Sequence, residues 1–178
     1  ILMHLLDGGF PSAPYFRLQA AGTYLADFHP SGFALIDLTA YHSLYLGKRH
    51  LKDELSERFP QSHAFLYRRD IFLFLHEKAT VEAFSSLAEE FQLKVVISDG
   101  LDDLYTLPAM YRTAHEALEL MMDSRFHGGS VCSVAQLRTA LLLKGVEGRR
   151  DLISNEICAL AEHDHAKGTQ YCETLYSY

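Results

Sequence analysis

The chain lacks most of the patterns that give a protein a recognisable chemical task. Its three cysteines, Cys132, Cys158 and Cys172, are odd in number and far apart. No C-x-x-C pair occurs, which argues against a disulfide framework or a zinc knuckle. They read as reduced thiols of a cytosolic chain. There is no G-x-S-x-G, no P-loop and no G-x-G-x-x-G, so the common nucleophile and phosphate-cradling motifs are missing. No apolar run approaches the roughly 20 residues of a membrane span, and no signal peptide is visible. Basic charge is in deficit, with 16 Lys and Arg against 23 Asp and Glu and a net charge of −7. After Arg125 the balance is 5 against 6, so neither half is basic. Phosphate binding relies on clustered cations, which argues against this piece gripping nucleic acid by itself.

What is present suits an ordinary globular chain. It has 178 residues, 48% hydrophobic and 22% charged, enough for one domain plus an appendage. The start at Ile1 and the stop at Tyr178 inside a helical pattern lead us to expect a fragment of a longer protein.

Residues 1–6 are apolar and stop at Asp7-Gly8-Gly9, like a helix tail with a glycine cap. Tyr15, Leu18, Gly22 and Leu25 recur at helical spacing. Residues 33–38, FALIDL, are apolar on both faces until Asp37, the pattern of a strand in mid-sheet. Leu51, Leu55 and Phe59 predict a second helix. Two β-rich runs, 64–67 and 71–76, flank Arg68-Arg69-Asp70 and predict a hairpin. Residues 81–91 predict a third helix and 94–98 a strand. A long helix follows, with Leu107, Met110, Tyr111, Ala114, Ala117, Leu118 and Met121 on one stripe, Thr106 at its cap and Pro108 in its first turn. The expected fold is α+β, an α/β sandwich with a mixed sheet in ferredoxin-like β-α-β-β-α-β order. The expected divisions are an upstream linker helix over 1–12, this domain over 13–125, and a short helical segment over 126–178 containing one brief strand near 131–134. Alone, that last segment would be marginal.

Few side chains suggest chemistry. Among ten histidines only His163-Asp164-His165 cluster. Their i, i+2 spacing diverges by about 200° on a helix, so a solvated helix end is the plainer reading. Asp37 ends a buried strand, where ligands and metals sit in such sheets. Asp70 is expected at the hairpin tip, and two carboxylates on neighbouring strands suit Mg²⁺. The plainer reading is a strand-ending Asp and a turn Asp, since no third acid is apparent and Arg68 and Arg69 flank the tip. Those two arginines suit a phosphate or carboxylate, or are simply solvated.

The hairpin resembles that of GGDEF-class nucleotide cyclases, in which Gly-Gly-Asp-Glu-Phe follows a strand ending in a metal-binding Asp. Here Arg68-Arg69-Asp70-Ile71-Phe72 stand in those places. Asp and Phe are kept; both glycines and the Glu are gone. The resemblance therefore implies lost cyclase activity, because two bulky cations block backbone approach and Ile supplies no acid. Residues 98–120, SDGLDDLYTLPAMYRTAHEALEL, are similar to the S-x-x-x-x-x-L-x-x-L-x-x-A-Y-x-x-A-x-x-A-L pattern of PucR/CdaR-type bacterial regulators, with Met110 in place of the small residue. Those proteins carry a degenerate GGDEF-like domain in mid-chain. The tail resembles the same family through Asp164, Glu173, Thr174, Leu175 and Tyr178, just before a helix-turn-helix that this chain lacks.

The resemblance implies a non-catalytic relay or dimerisation module of a cytoplasmic bacterial transcription regulator. It implies a homodimer, no cofactor or metal, no membrane, and DNA contact only through the downstream helix-turn-helix. Two rivals remain open. One is a sensor of an anionic metabolite or nucleotide held by Arg68 and Arg69. The other is an active cyclase relative using Asp37 and Asp70.

Overall fold

The computed structural model describes residues 1–38, 48–77, 80–123, 126, 128–146 and 154–176. They form an α+β fold around one five-stranded mixed sheet. Two compact units are present, Ile1–Leu141 and Leu142–Tyr178.

The sheet runs in the order β2-β3-β1-β4-β5. β1 (Gly32–Asp37) lies between β3 (Asp70–Leu75) and β4 (Lys94–Ile97) and is antiparallel to both. β2 (His63–Tyr67) pairs antiparallel with β3 on the outer side. These four strands reproduce the expected ferredoxin-like order. β5 (Val131–Ser133) adds parallel to β4 and makes the sheet mixed.

Every residue of β1 is buried, which is why its sequence reads as a continuous apolar run. Side chains alternate between faces. Phe33 and Leu35 enter a core with Phe72, Phe74 and Val96. Helices α1 (Leu2–Leu6), α2 (Ala13–Ala20) and α5 (Leu107–Met122) and the start of α6 (Val134–Val146) contribute to that core. Ala34 and Ile36 enter the opposite core, which α3 (Lys48–Arg58) and α4 (Val81–Phe91) cover. The two crossover helices of the β-α-β-β-α-β order thus share one face. Phe84 of α4 stacks on Phe59 at 4.5 Å between ring centres.

Two local expectations are corrected. The stripe Tyr15, Leu18, Gly22, Leu25 does not face the core: Leu18 is 72% exposed, and α2 buries Phe16 and Ala20 instead. Two apolar stripes compete on this short helix, and Phe16 wins by packing edge-on against Phe10 at 5.2 Å. The chain then tightens into a 3₁₀ turn, Tyr24–Asp27, that buries Leu25 separately. Thr106 stands at the N-cap of α5, but its side chain makes no capping hydrogen bond; its hydroxyl donates to the Asp103 carbonyl at 2.7 Å. Asp103 caps the preceding 3₁₀ turn, Leu104–Thr106, accepting from the Tyr105 N–H at 2.9 Å. That hydrogen bond, with a 2.6 Å contact to Arg17, holds its carboxyl below the usual range.

The unit boundary also differs from the expected divisions at 12/13 and 125/126. α1 buries Leu2, Leu5 and Leu6 in the main core, and β5 joins the sheet, so both belong to the first unit. A parallel strand needs a crossover, and α5 supplies it between β4 and β5.

The second unit holds the end of α6, α7 (Asn155–Lys167) and α8 (Tyr171–Tyr176). Tyr178 of the tail motif lies outside the described residues. Gly145 lies within α6. No described residue from 142 onward is buried. Local hydrogen bonds hold the turn between α7 and α8. Gly168 takes the left-handed φ of +65° that ends α7. Asp164 then accepts from the Thr169 hydroxyl at 2.6 Å and from the Tyr171 and Cys172 N–H groups at 3.1 and 2.8 Å. The middle residue of His163-Asp164-His165 is therefore a cap for the next helix.

Phe84→Ala should destabilise the chain by about 3–5 kcal/mol in urea unfolding, because α4 cannot collapse onto the void. A loss below about 1 kcal/mol would contradict the packing described. The Cys172 N–H and the Thr169 hydroxyl pull the Asp164 carboxyl down to about 2 from an ordinary value of 3.8. A lowered folded value stabilises above the ordinary value and is lost as pH falls through the folded one. The Tyr171 and Cys172 amides should therefore stay protected at pH 5 and lose protection towards pH 2. Asp164→Ala should show that loss already at neutral pH.

Candidate functional site at the hairpin

Asp70 is not at the hairpin tip. It is the first residue of β3, 4% exposed, and it pairs with Tyr67 across a two-residue turn, Arg68-Arg69. On its other side it lies directly opposite Asp37, which is 7% exposed. Asp37 in turn lies opposite Lys94. The register thus makes a row across one end of the sheet: Tyr67, Asp70, Asp37, Lys94. Their alternation with Phe72, Leu35 and Val96 puts all four on the face covered by α5. Lys94 accordingly acts on the buried Cys132 thiol of that face, opposing the upward push of burial.

Tyr111 of α5 closes the row from above. Its ring meets that of Tyr67 edge-on at 5.1 Å. Burial raises its phenol above the ordinary value, the charge of Asp70 adds to this, and Arg68 opposes it. Ile71 is fully buried in the other core, on the opposite face of the sheet from Asp70.

The turn itself carries Arg68 in the left-handed region, with φ +55°. Hairpin turns favour glycine or asparagine there, and other side chains are uncommon. The guanidinium lies 5.3 Å from the Tyr67 ring centre and 6.0 Å from that of Tyr111. Cation–π contacts of this kind contribute roughly 0.5–1 kcal/mol at exposed sites. Arg68 also stands 3.7 Å from Asp7, at the end of α1. Asp7 accepts a 2.7 Å hydrogen bond from the Tyr67 hydroxyl. Arg69 is exposed.

The structure therefore brings Asp37 and Asp70 together and places Arg68 beside them on the aromatic pair. It separates Arg69, which points to no described partner. Tyr67, Tyr111 and Asp7 belong to the same cluster and were not singled out from sequence. Tyr111 carried a signal, a lone hydroxyl on an otherwise apolar stripe; Asp7 carried none. Two open clefts lie elsewhere. One, of about 400 Å³, sits at the far end of β3 near Leu75 and His76; the other, of about 580 Å³, lies beside Phe10 and Tyr15. Neither is lined by Asp37 or Asp70.

Burial, reinforced by the hydrogen bond to Asp7, pushes the Tyr67 phenol up to about 12 from 10.0. A raised folded value stabilises fully below the unfolded one and is lost as pH rises through the folded one. Stability should hold up to about pH 10 and fall between 10 and 12. Tyr67→Phe should flatten that window in pH-dependent urea unfolding; an unchanged slope would contradict the assignment.

No known family model matches the chain, and no curated protein matches it significantly.

Proposed function

We propose that the first unit is a non-catalytic, GGDEF-like relay or dimerisation module of a cytoplasmic bacterial transcription regulator of the PucR/CdaR type. DNA binding would reside downstream of Tyr178. One observation carries this reading: the strand-ending Asp37 and the hairpin residue Asp70 face each other in register, as the resemblance requires, while the turn beside them is Arg68-Arg69. The positions that would admit a nucleotide's phosphates hold two cations with full side chains. The position that would supply the acid holds Ile71, buried on the far face. Asp37 and Asp70 are themselves covered, so they present little surface to a substrate.

Other features agree with a scaffold role. α5, the helix most like the regulator family's, spends its apolar stripe on the core: Leu107, Tyr111, Ala114, Ala117, Leu118 and Met121 are buried. Met110 is only half-buried, at the one position where the sequence departs from the family pattern. Among the described residues no helix is long and apolar enough to cross a membrane.

A second reading has one observation in its favour. Paired carboxylates on adjacent strands are a usual arrangement for an oxygen-liganded cation, so a retained metal-dependent cyclase keeps some standing.

Incubation with GTP and Mg²⁺ or Mn²⁺ separates the two, with no cyclic dinucleotide expected; detectable product would overturn the non-catalytic reading. The coding sequence beyond Tyr178 tests the regulator itself, since continuation without a helix-turn-helix would sink it.

A further inference from the structure

The geometry points to a latch between the first helix and the hairpin: Asp7, Tyr67 and Arg68 tie α1 to the β2–β3 turn and, through Tyr111, to α5. The inference rests on the relay reading above and gives it a physical joint.

Four observations meet at this point. α1 is short, five residues, and cannot persist by its own hydrogen bonds. Leu2, Leu5 and Leu6 anchor it apolarly to the core beside α5. Its end is fixed in orientation by the Asp7, Gly8 and Gly9 N–H groups, which return to the carbonyls of Met3, Leu5 and His4. Asp7 thereby holds an acceptor over the hairpin, where the buried Tyr67 donates to it at 2.7 Å. The exposed Arg68–Asp7 contact contributes little alone, but it keeps the guanidinium over both tyrosine rings.

Apolar contact between α1 and α5 tolerates sliding; a hydrogen bond between two defined atoms does not. A shift of α1 by an ångström or two keeps Leu5 buried yet breaks Asp7 from Tyr67. Tyr67 then has a buried hydroxyl without its acceptor, which is unfavourable because the desolvated donor has nothing in exchange for water. Relief requires the ring to turn, and its edge-on partner Tyr111 and the covering Arg68 turn with it. Movement of α1 is thus read at the hairpin and at α5 together.

The test uses the 178-residue chain with Asp7→Ala, Tyr67→Phe and the double variant. Amide exchange is measured at Asp7, Gly8 and Gly9, with Leu35 and Val96 as controls. Either single variant should speed the three amides about three- to tenfold, the double no further, and the controls should not change. In Asp7→Ala the Tyr67 phenol, followed by its ring carbon signal, should fall below its value of about 12, with burial still holding it above the ordinary one. Asp7→Asn, the mildest change, keeps an acceptor and should fall between wild type and Asp7→Ala. Unchanged α1 amides, additive effects in the double variant, or equal acceleration of the controls would each overturn the latch. None of these results depends on DNA, so the latch can fail while the regulator reading stands, and the reverse.

Discussion

Burial of β1 on both faces is the constraint from which the rest of the first unit follows. A strand with Phe33 and Leu35 on one side and Ala34 and Ile36 on the other needs two apolar covers and two hydrogen-bonded neighbours. β3 and β4 supply the ladders, so no backbone polar group of the strand is left in the apolar interior. The covers follow from the same demand: α3 and α4 on one side, α1, α2 and α5 on the other. A polar residue anywhere from Phe33 to Ile36 would be desolvated from both directions. Asp37 is where the run can end, because it faces Asp70 and Lys94 at the margin of the sheet.

Elements with one strong period were legible in the sequence. β1 reads as a doubly buried strand because nothing polar interrupts it. α4 and α5 read as helices because their stripes have a single best face. α2 is ambiguous in the sequence because Tyr15 and Leu18 offer a second stripe of equal spacing, and partners outside the helix, Phe10 and Tyr105, decide between them. β5 reads as a short strand in the sequence, but nothing there places it beside β4. Three residues carry no periodicity worth the name, and its place depends on an open edge of β4.

The site was legible in its members and not in its geometry. Asp37, Arg68 and Asp70 stood out by type and position. That Asp70 is buried opposite Asp37, rather than exposed at the tip, depends on register, which the flanking sequence does not set when the turn has two residues or three. Asp7 was invisible for a different reason: its partner is 60 residues away, and no local pattern announces such a bond. Arg68 now reads as a residue held against its backbone preference, since a left-handed φ at that position suits glycine.

The contacts of the first two helices also set an order of events. Arg17 pairs with Asp103, 86 residues on, and Phe10 accepts from Tyr105, 95 residues on. The apolar faces of α1 and α2 are the first part of this sequence that a ribosome releases. Their partners on α5 are among the last of the unit. Until α5 has emerged, Leu2, Leu5, Leu6 and Phe16 have only the sheet side of their core to meet, so the N-terminal helices complete their docking late, after β1 to β4 can pair.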